Sequence, residues 1–220
     1  MNKQAVTYQI KHYFILLIGM ALMGASVAMA RLAMLGTSPI SSVPNVVSIL
    51  LNQPLGRMSN IFQVILLIIE WFLLGRDRSF KIVIQLIPAF IFGFFIDIFM
   101  GIFKHTLPMP SYWAEFGWMV LSVIILGIGV YFEVGSQTIL MTGEGVARAI
   151  ALRFNLPFGR AKIYNDCAMV IAAGLISFLA TGKFIGIREG TLITAMFTGV
   201  VVSAIRGHLH PLNRLINLED

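Results

Sequence analysis

Charge is scarce in this sequence: Asp, Glu, Lys and Arg make up 12% of it, against about 25% in a soluble domain. That shortage excludes an ordinary water-facing globular surface. Cysteine is scarcer still, and the lone Cys167 can form neither an internal disulfide nor a cysteine-rich metal site. Catalytic signatures are absent too: there is no Gly-x-Ser-x-Gly, no His-Glu-x-x-His and no phosphate-binding Gly-Lys-Ser/Thr loop. Of the four histidines, His12 starts the first apolar run and His105, His208 and His210 lie in loops or the tail. His208-x-His210 is a thin basis for a metal site. We therefore expect no enzyme, no cofactor and no metal centre.

What is present is apolar. Hydrophobic residues make up 58% of the 220-residue chain, and the mean hydropathy is +0.87. The apolar runs are too long and uniform to be the core-facing stripe of a soluble helix. Spans are expected near 12–34, 58–75, 80–103, 114–138, 161–181 and 187–206, each able to cross a hydrocarbon core about 30 Å thick, which takes about 20 residues. Gly75-Arg76-Asp77-Arg78-Ser79 reads as a charged hairpin. His105 to Ser111 contains Pro108 and Pro110, which end a helix, and Trp113 and Trp118 follow at headgroup level. The first run is too long for a signal peptide and is kept as a mature helix.

The formal net charge of +6 is assigned to membrane orientation rather than to nucleic acid. With the N-terminus inside, the outer side holds Arg31, Arg57, Lys104, Lys183 and Arg188, and the other Lys and Arg residues, from Lys3 to Arg214, fall inside. Both termini are thus expected in the cytoplasm.

The two halves of the chain resemble each other. Asn52-Gln53-Pro54-Leu55-Gly56-Arg57 matches Asn155-Leu156-Pro157-Phe158-Gly159-Arg160, 103 residues later. Each block follows a Gly-containing break, Gly36-Thr37-Ser38-Pro39 or Thr142-Gly143-Glu144-Gly145, and a short apolar stretch. Central glycines, Gly93 and Gly199, mark the last span of each half. The expected fold is an all-α integral membrane protein: six transmembrane helices in two three-helix repeats, residues 1–107 and 108–220. An odd number of spans per half inverts one copy relative to the other, the plan of many secondary transporters.

Ser38 can cap a helix whose first-turn residue is Pro39, because that position needs no N–H donor. Ile40 to Leu51 and Val146 to Phe154 are too short to cross a bilayer. They are either half-helices dipping inward, with N-termini suited to an anionic group, or connecting helices lying flat at the interface. Arg148 and Arg153 favour the interfacial reading for the second.

Six acids fall in or beside the apolar runs: Glu70, Asp97, Glu133, Glu144, Asp166 and Glu189. A charged acid at a helix centre costs about 3 kcal/mol, so six facing lipid would cost roughly 18 kcal/mol. They must turn inward, reach the interface, pair or be protonated. Glu70, beside Trp71 near a span end, is expected at the interface. Asp97 lies deeper. Glu133, Ser136 and Gln137 share a helical face that leads to Thr142 and Glu144, and Asn165 and Asp166 lie a turn inside the fifth span. Arg188 and Glu189, about 100° apart on a helix, are each expected to pair with another helix, and Arg31 is the cationic partner offered to a nearby acid. The candidate substrate- or ion-binding residues are Thr37, Ser38, Ser41, Asp97, Glu133, Gln137, Glu144, Asn165, Asp166, Arg188 and Glu189.

Gly36-Thr37-Ser38-Pro39-Ile40-Ser41-Ser42-Val43-Pro44 resembles the Gly-Thr-Ser-Pro signature of the bacterial YczE/YyaS/YitT-type membrane proteins. Thr142-Gly143-Glu144-Gly145, Pro157-Phe158-Gly159-Arg160-Ala161-Lys162 and Gly186-Ile187-Arg188-Glu189-Gly190-Thr191 resemble motifs of the YczE branch. Arg206-Gly207 departs from the proline-containing end expected of the last span. The resemblance implies a multi-pass bacterial inner-membrane protein, with small-molecule export or support of a biosynthetic enzyme's activation among the roles suggested for the family.

Two functions follow. The first is a secondary transporter or exporter of a small molecule, sited between the repeats, with membrane-depth acids carrying protons. The second is a non-transporting substrate-capture subunit, like those of vitamin importers, or a membrane assembly factor. Small residues at Gly19, Gly24 and Ala28 offer a face for a membrane partner or a second copy, and packing within the chain accounts for them equally well.

Overall fold

The computed structural model describes residues 3–108 and 111–208. Pro110, His210 and Arg214, and the side chains of Lys3, Arg206 and His208, lie outside the described residues. The described chain is helical: α1 (Lys3–Leu32), α2 (Pro39–Leu51), α3 (Leu55–Leu74), α4 (Leu86–Thr106), α5 (Tyr112–Gly135), α6 (Thr142–Phe154), α7 (Phe158–Thr181) and α8 (Glu189–His208). Tight 3-10 turns at Gly75–Asp77 and Phe80–Gln85 join α3 to α4. There Arg78 lies 5.2 Å over the Trp71 ring, a cation–π contact that fastens the hairpin.

Among the described residues five helical stretches are long and apolar enough to cross a membrane: Gln9–Leu32, Leu55–Asp77, Phe80–Thr106, Tyr112–Gly135 and Phe158–Thr181. The chain is a multi-pass membrane protein. Large apolar side chains such as Phe72, Phe94 and Leu179 point outward, as lipid-facing positions require.

The short segments form as their breaks suggest. Ser38 is extended (φ −61°, ψ 154°) and Pro39 opens α2, but the Ser38 hydroxyl makes no capping bond. Both short helices have 13 residues and end on an asparagine in the left-handed region, Asn52 (φ 49°, ψ 46°) and Asn155 (φ 51°, ψ 48°). Asparagine tolerates that conformation better than most side chains. Pro54 and Pro157 then precede α3 and α7. α6 begins at Thr142, earlier than expected, so Glu144 lies in its first turn. In both helices the N-terminal turns are buried, and the last residues, Leu51 and Leu152 to Phe154, are exposed.

α1 is the most enclosed span and runs antiparallel to α5. His12 Nδ1 donates to Ser136 O (2.7 Å) at one end, and Ser26 Oγ donates to Ser122 O (2.7 Å) further along. Between them α1 and α5 cross at two glycines, where a Cβ on Gly19 would sit 2.9 Å from Gly129 O. Under the 103-residue offset of the repeated motif, Gly19 corresponds to Ser122 and Ser26 to Gly129. The two contacts therefore exchange with each other. Gly24 packs on Phe95 and Ile96 of α4, and Ala28 is fully buried. The small-residue face of α1 is used within the chain, the intramolecular packing that its spacing also allows.

The remaining packing follows the same exchange: α2 lies on α7 and α6 on α3, while α1 holds α4 and α5 holds α8. One pairing breaks the pattern. α3 and α4 meet through Gly56 and Gly93, whose missing side chains let the backbones touch. Gly159 and Gly199 meet no atom within 4 Å, and α7 and α8 make no such seam among the described residues.

Candidate functional site

Because α3 and α7 are held apart by the two short helices, a groove opens between them. Its volume is about 1050 Å³, at the upper end of small-molecule sites. Its walls are equivalent residues of the two halves: Val43 with Val146, Phe62 with Asn165, Ile65 with Ala168, and Ile69 with Ala172. The lining thus pairs off residue by residue under the 103-residue offset. Alanine on α7 opposite isoleucine on α3 makes part of the room. Among the described lining residues only Tyr164 and Asn165 carry polar side chains. The groove is apolar.

The polar residues gather beside it, around the first turn of α6. Lys162 Nζ lies 3.4 Å from both Glu144 Oε1 and Asp166 Oδ1. Asn165, one wall of the groove, donates from Nδ2 to Gly143 O (3.3 Å), so it joins the apolar groove to the charged turn. Glu133 is 3% exposed and neither carboxylate oxygen makes a hydrogen bond; the backbone of Met141, Glu144 and Lys162 are the groups that act on it. Among the described residues no three His, Cys, Asp or Glu side chains are grouped to hold a metal ion.

From the other side, α3 presents Ser59, Gln63 and Glu70, all buried. Gln63 Oε1 accepts from the Thr142 hydroxyl. Glu70 is 4% exposed, accepts from Gln85 Nε2 at 3.0 Å, and has its second oxygen against Gly145. This corrects its expected interface position: the turn at Phe80–Gln85 folds back over the end of α3 and covers it. Gln63, Glu70 and Gln85 are the members that sequence reasoning missed. The spacing of 59, 63 and 70 was the available signal, since it puts them on one helical face.

Other candidates sit elsewhere. Thr37, Ser38 and Ser41 are buried at the start of α2, and the Thr37 and Ser38 hydroxyls have no partner among the described residues. Arg188 and Glu189 lie near the loop before α2, where Arg188 also reaches Met34 O at 3.4 Å. They bond each other, Nη2 to Oε1 at 2.9 Å and Nε to Oε2 at 3.2 Å. Glu189 also accepts from the Tyr112 hydroxyl of α5 at 3.4 Å, so the expected link to another helix is met for Glu189 by a hydrogen bond and not by an ion pair. Arg188 precedes α8, so helical angular spacing does not separate the two. Asp97 accepts from Gly56 N–H at 2.7 Å, capping α3 from α4 because Pro54 cannot. Gln137 is exposed, with φ 49° beyond the end of α5, so it leaves the face of Glu133. Arg31 shares a smaller cavity with Asp97 but forms no ion pair among the described residues.

A family match covers residues 10–207, and the chain belongs to that family, a family of unknown function (DUF6198). No curated protein and no solved structure matches it.

Proposed function

We propose that the chain is a secondary transporter, an exporter by preference, of an apolar or amphipathic small molecule held in the groove between α3 and α7. The architecture is six transmembrane helices in two inverted repeats, residues 1–107 and 108–220, with α8 as the sixth span and α2 and α6 as re-entrant half-helices. Both termini face the cytoplasm of a bacterial inner membrane. One observation carries the reading: a groove of about 1050 Å³ whose walls are equivalent residues of the two halves. Inverted-repeat transporters keep their site at that position, and alternating access rocks one repeat against the other around it. The lining selects the cargo, since a strongly polar solute would lose its hydration and regain bonds from little beyond Tyr164 and Asn165.

The antiparallel α1–α5 pair and the exchange of its contacts support the inversion. The buried N-termini and exposed C-termini of α2 and α6 support the re-entrant reading, because a flat interfacial helix would bury one side along its whole length.

The test uses whatever molecule the protein itself carries. Chain purified from its native membrane should hold an apolar molecule in stoichiometric amount, identified by mass spectrometry of the extract. Ala168→Ile with Ala172→Ile, which puts the first-half side chains on both walls, should leave the groove empty. Proteoliposomes of the unaltered chain should then move that molecule. An empty unaltered chain, or equal occupancy in the filled variant, contradicts the site. Binding without flux assigns the groove to a substrate-capture subunit instead.

A further inference from the structure

The charges around the start of α6 have no counterpart in the first half. Under the 103-residue offset Glu133, Glu144, Lys162 and Asp166 correspond to Ala30, Ser41, Ser59 and Gln63, all four of them buried and neutral. These four positions of the junction are thus filled once with no ionisable group. Packing does not call for the charges, and replacing buried ion pairs by neutral groups is commonly harmless to stability.

The second-half charges are also ordered by depth. Side-chain exposure falls from 36% at Lys162 through 23% at Asp166 to 13% at Glu144, and Glu133 as a residue is 3% exposed. Glu144 and Asp166 share the Lys162 ammonium. Glu133 stands at the inner end without a hydrogen bond to either oxygen. An ionised carboxylate there gives up its hydration, and the Met141 backbone beside it replaces only part of what water supplied. A proton on it removes that cost, and Lys162 compensates it only as far as Glu144 and Asp166 leave its charge unused.

We propose that Glu133 is a proton-binding site, filled and emptied through the Glu144–Lys162–Asp166 series and tied to occupation of the groove through Asn165. Asn165 is the mechanical link, since it lines the groove and bonds Gly143, the neighbour of Glu144. Glu144 of α6 and Lys162 of α7 are the charged groups that act on Glu133. From α1, His12 holds Ser136 O, three residues along α5. From α8, Glu189 lies at the far end of α5, beside Tyr112. The tie to the groove rests on the transport reading; proton binding does not.

Infrared difference spectra of the full chain in lipid nanodiscs, recorded across a pH ramp, test this. A protonated-carboxyl band should appear on acidification, vanish in Glu133→Gln and shift in frequency in Glu133→Asp. In Glu144→Gln the band's midpoint should move, and an unmoved midpoint there overturns filling through the Glu144–Lys162–Asp166 series. Asp166→Asn should retain it. A band unchanged in Glu133→Gln, or none in the unaltered chain, overturns the proton site. The groove-filled variant Ala168→Ile/Ala172→Ile should move the band's midpoint, and an unmoved midpoint there overturns the tie to the groove. A titrating band in a protein whose groove carries nothing leaves the proton site standing and removes the transport reading alone.

Discussion

At the scale of single residues, the acids in or beside the spans differ in what they touch, and the proposed function gives them different parts. Asp97 holds the Gly56 amide and so stands in for the cap that Pro54 cannot supply. Asp97→Ala should lower stability by about 1 kcal/mol, the usual value of a cap, and Asp97→Asn by less because an amide oxygen still accepts. Gly56→Ala should cost more, about 1–3 kcal/mol, since a Cβ there overlaps the backbone of Gly93. Thermal unfolding in detergent micelles ranks the three. Glu189 and Glu144 separate in the same way. Glu189 is 42% exposed at its side chain and bonds its own neighbour, so Glu189→Gln should leave flux unchanged, whereas Glu144→Gln, at the charged turn beside the groove, should abolish most of it with normal expression. Flux of the co-purified molecule in proteoliposomes reads both.

At the scale of elements, the two short helices decide the architecture. Each ends in the left-handed region on asparagine and turns directly into a span, so the terminal residue sets the angle at which short helix and span diverge. Asn155→Gly should be nearly neutral, and Asn155→Val should cost about 1–2 kcal/mol by forcing a β-branched residue to positive φ; melting temperatures in micelles compare them. These ends were legible in the sequence because Asn-x-Pro-x-Gly-Arg occurs twice. The start of α6 was less so: Gly143 and Gly145 read as a break, yet the chain is helical from Thr142, because Gln63, Asn165 and the Glu70–Gly145 contact enclose the turn from α3 and α7. Such support comes from residues far away in sequence, and local propensity does not carry it. Glu70 was misjudged for the same reason. Its position near a span end says nothing of Gln85 folding back over it.

At the scale of the molecule, the repeat sorts what the fold needs from what the second half has added. Contacts between α1 and α5, and the walls of the groove, exchange under one offset, while the charges at the start of α6 and the Gly56–Gly93 seam each occur in one half alone. Apolar runs made the spans readable, and the repeated motif made the two short helices and their asparagine ends readable. The apolar character of the groove was hidden, because its lining alternates between helices that meet only in three dimensions, and attention to the acids pointed to a polar interior instead. The account as a whole depends on the halves entering the membrane from opposite sides. Asn52 and Asn155 are equivalent, exposed residues, so Asn52→Cys and Asn155→Cys, each made after Cys167→Ser, test it with a membrane-impermeant maleimide applied to intact cells and to inverted vesicles. We expect Asn52→Cys to label in cells and Asn155→Cys to label in inverted vesicles; labelling of both from the same side contradicts the inverted repeat and the groove built upon it.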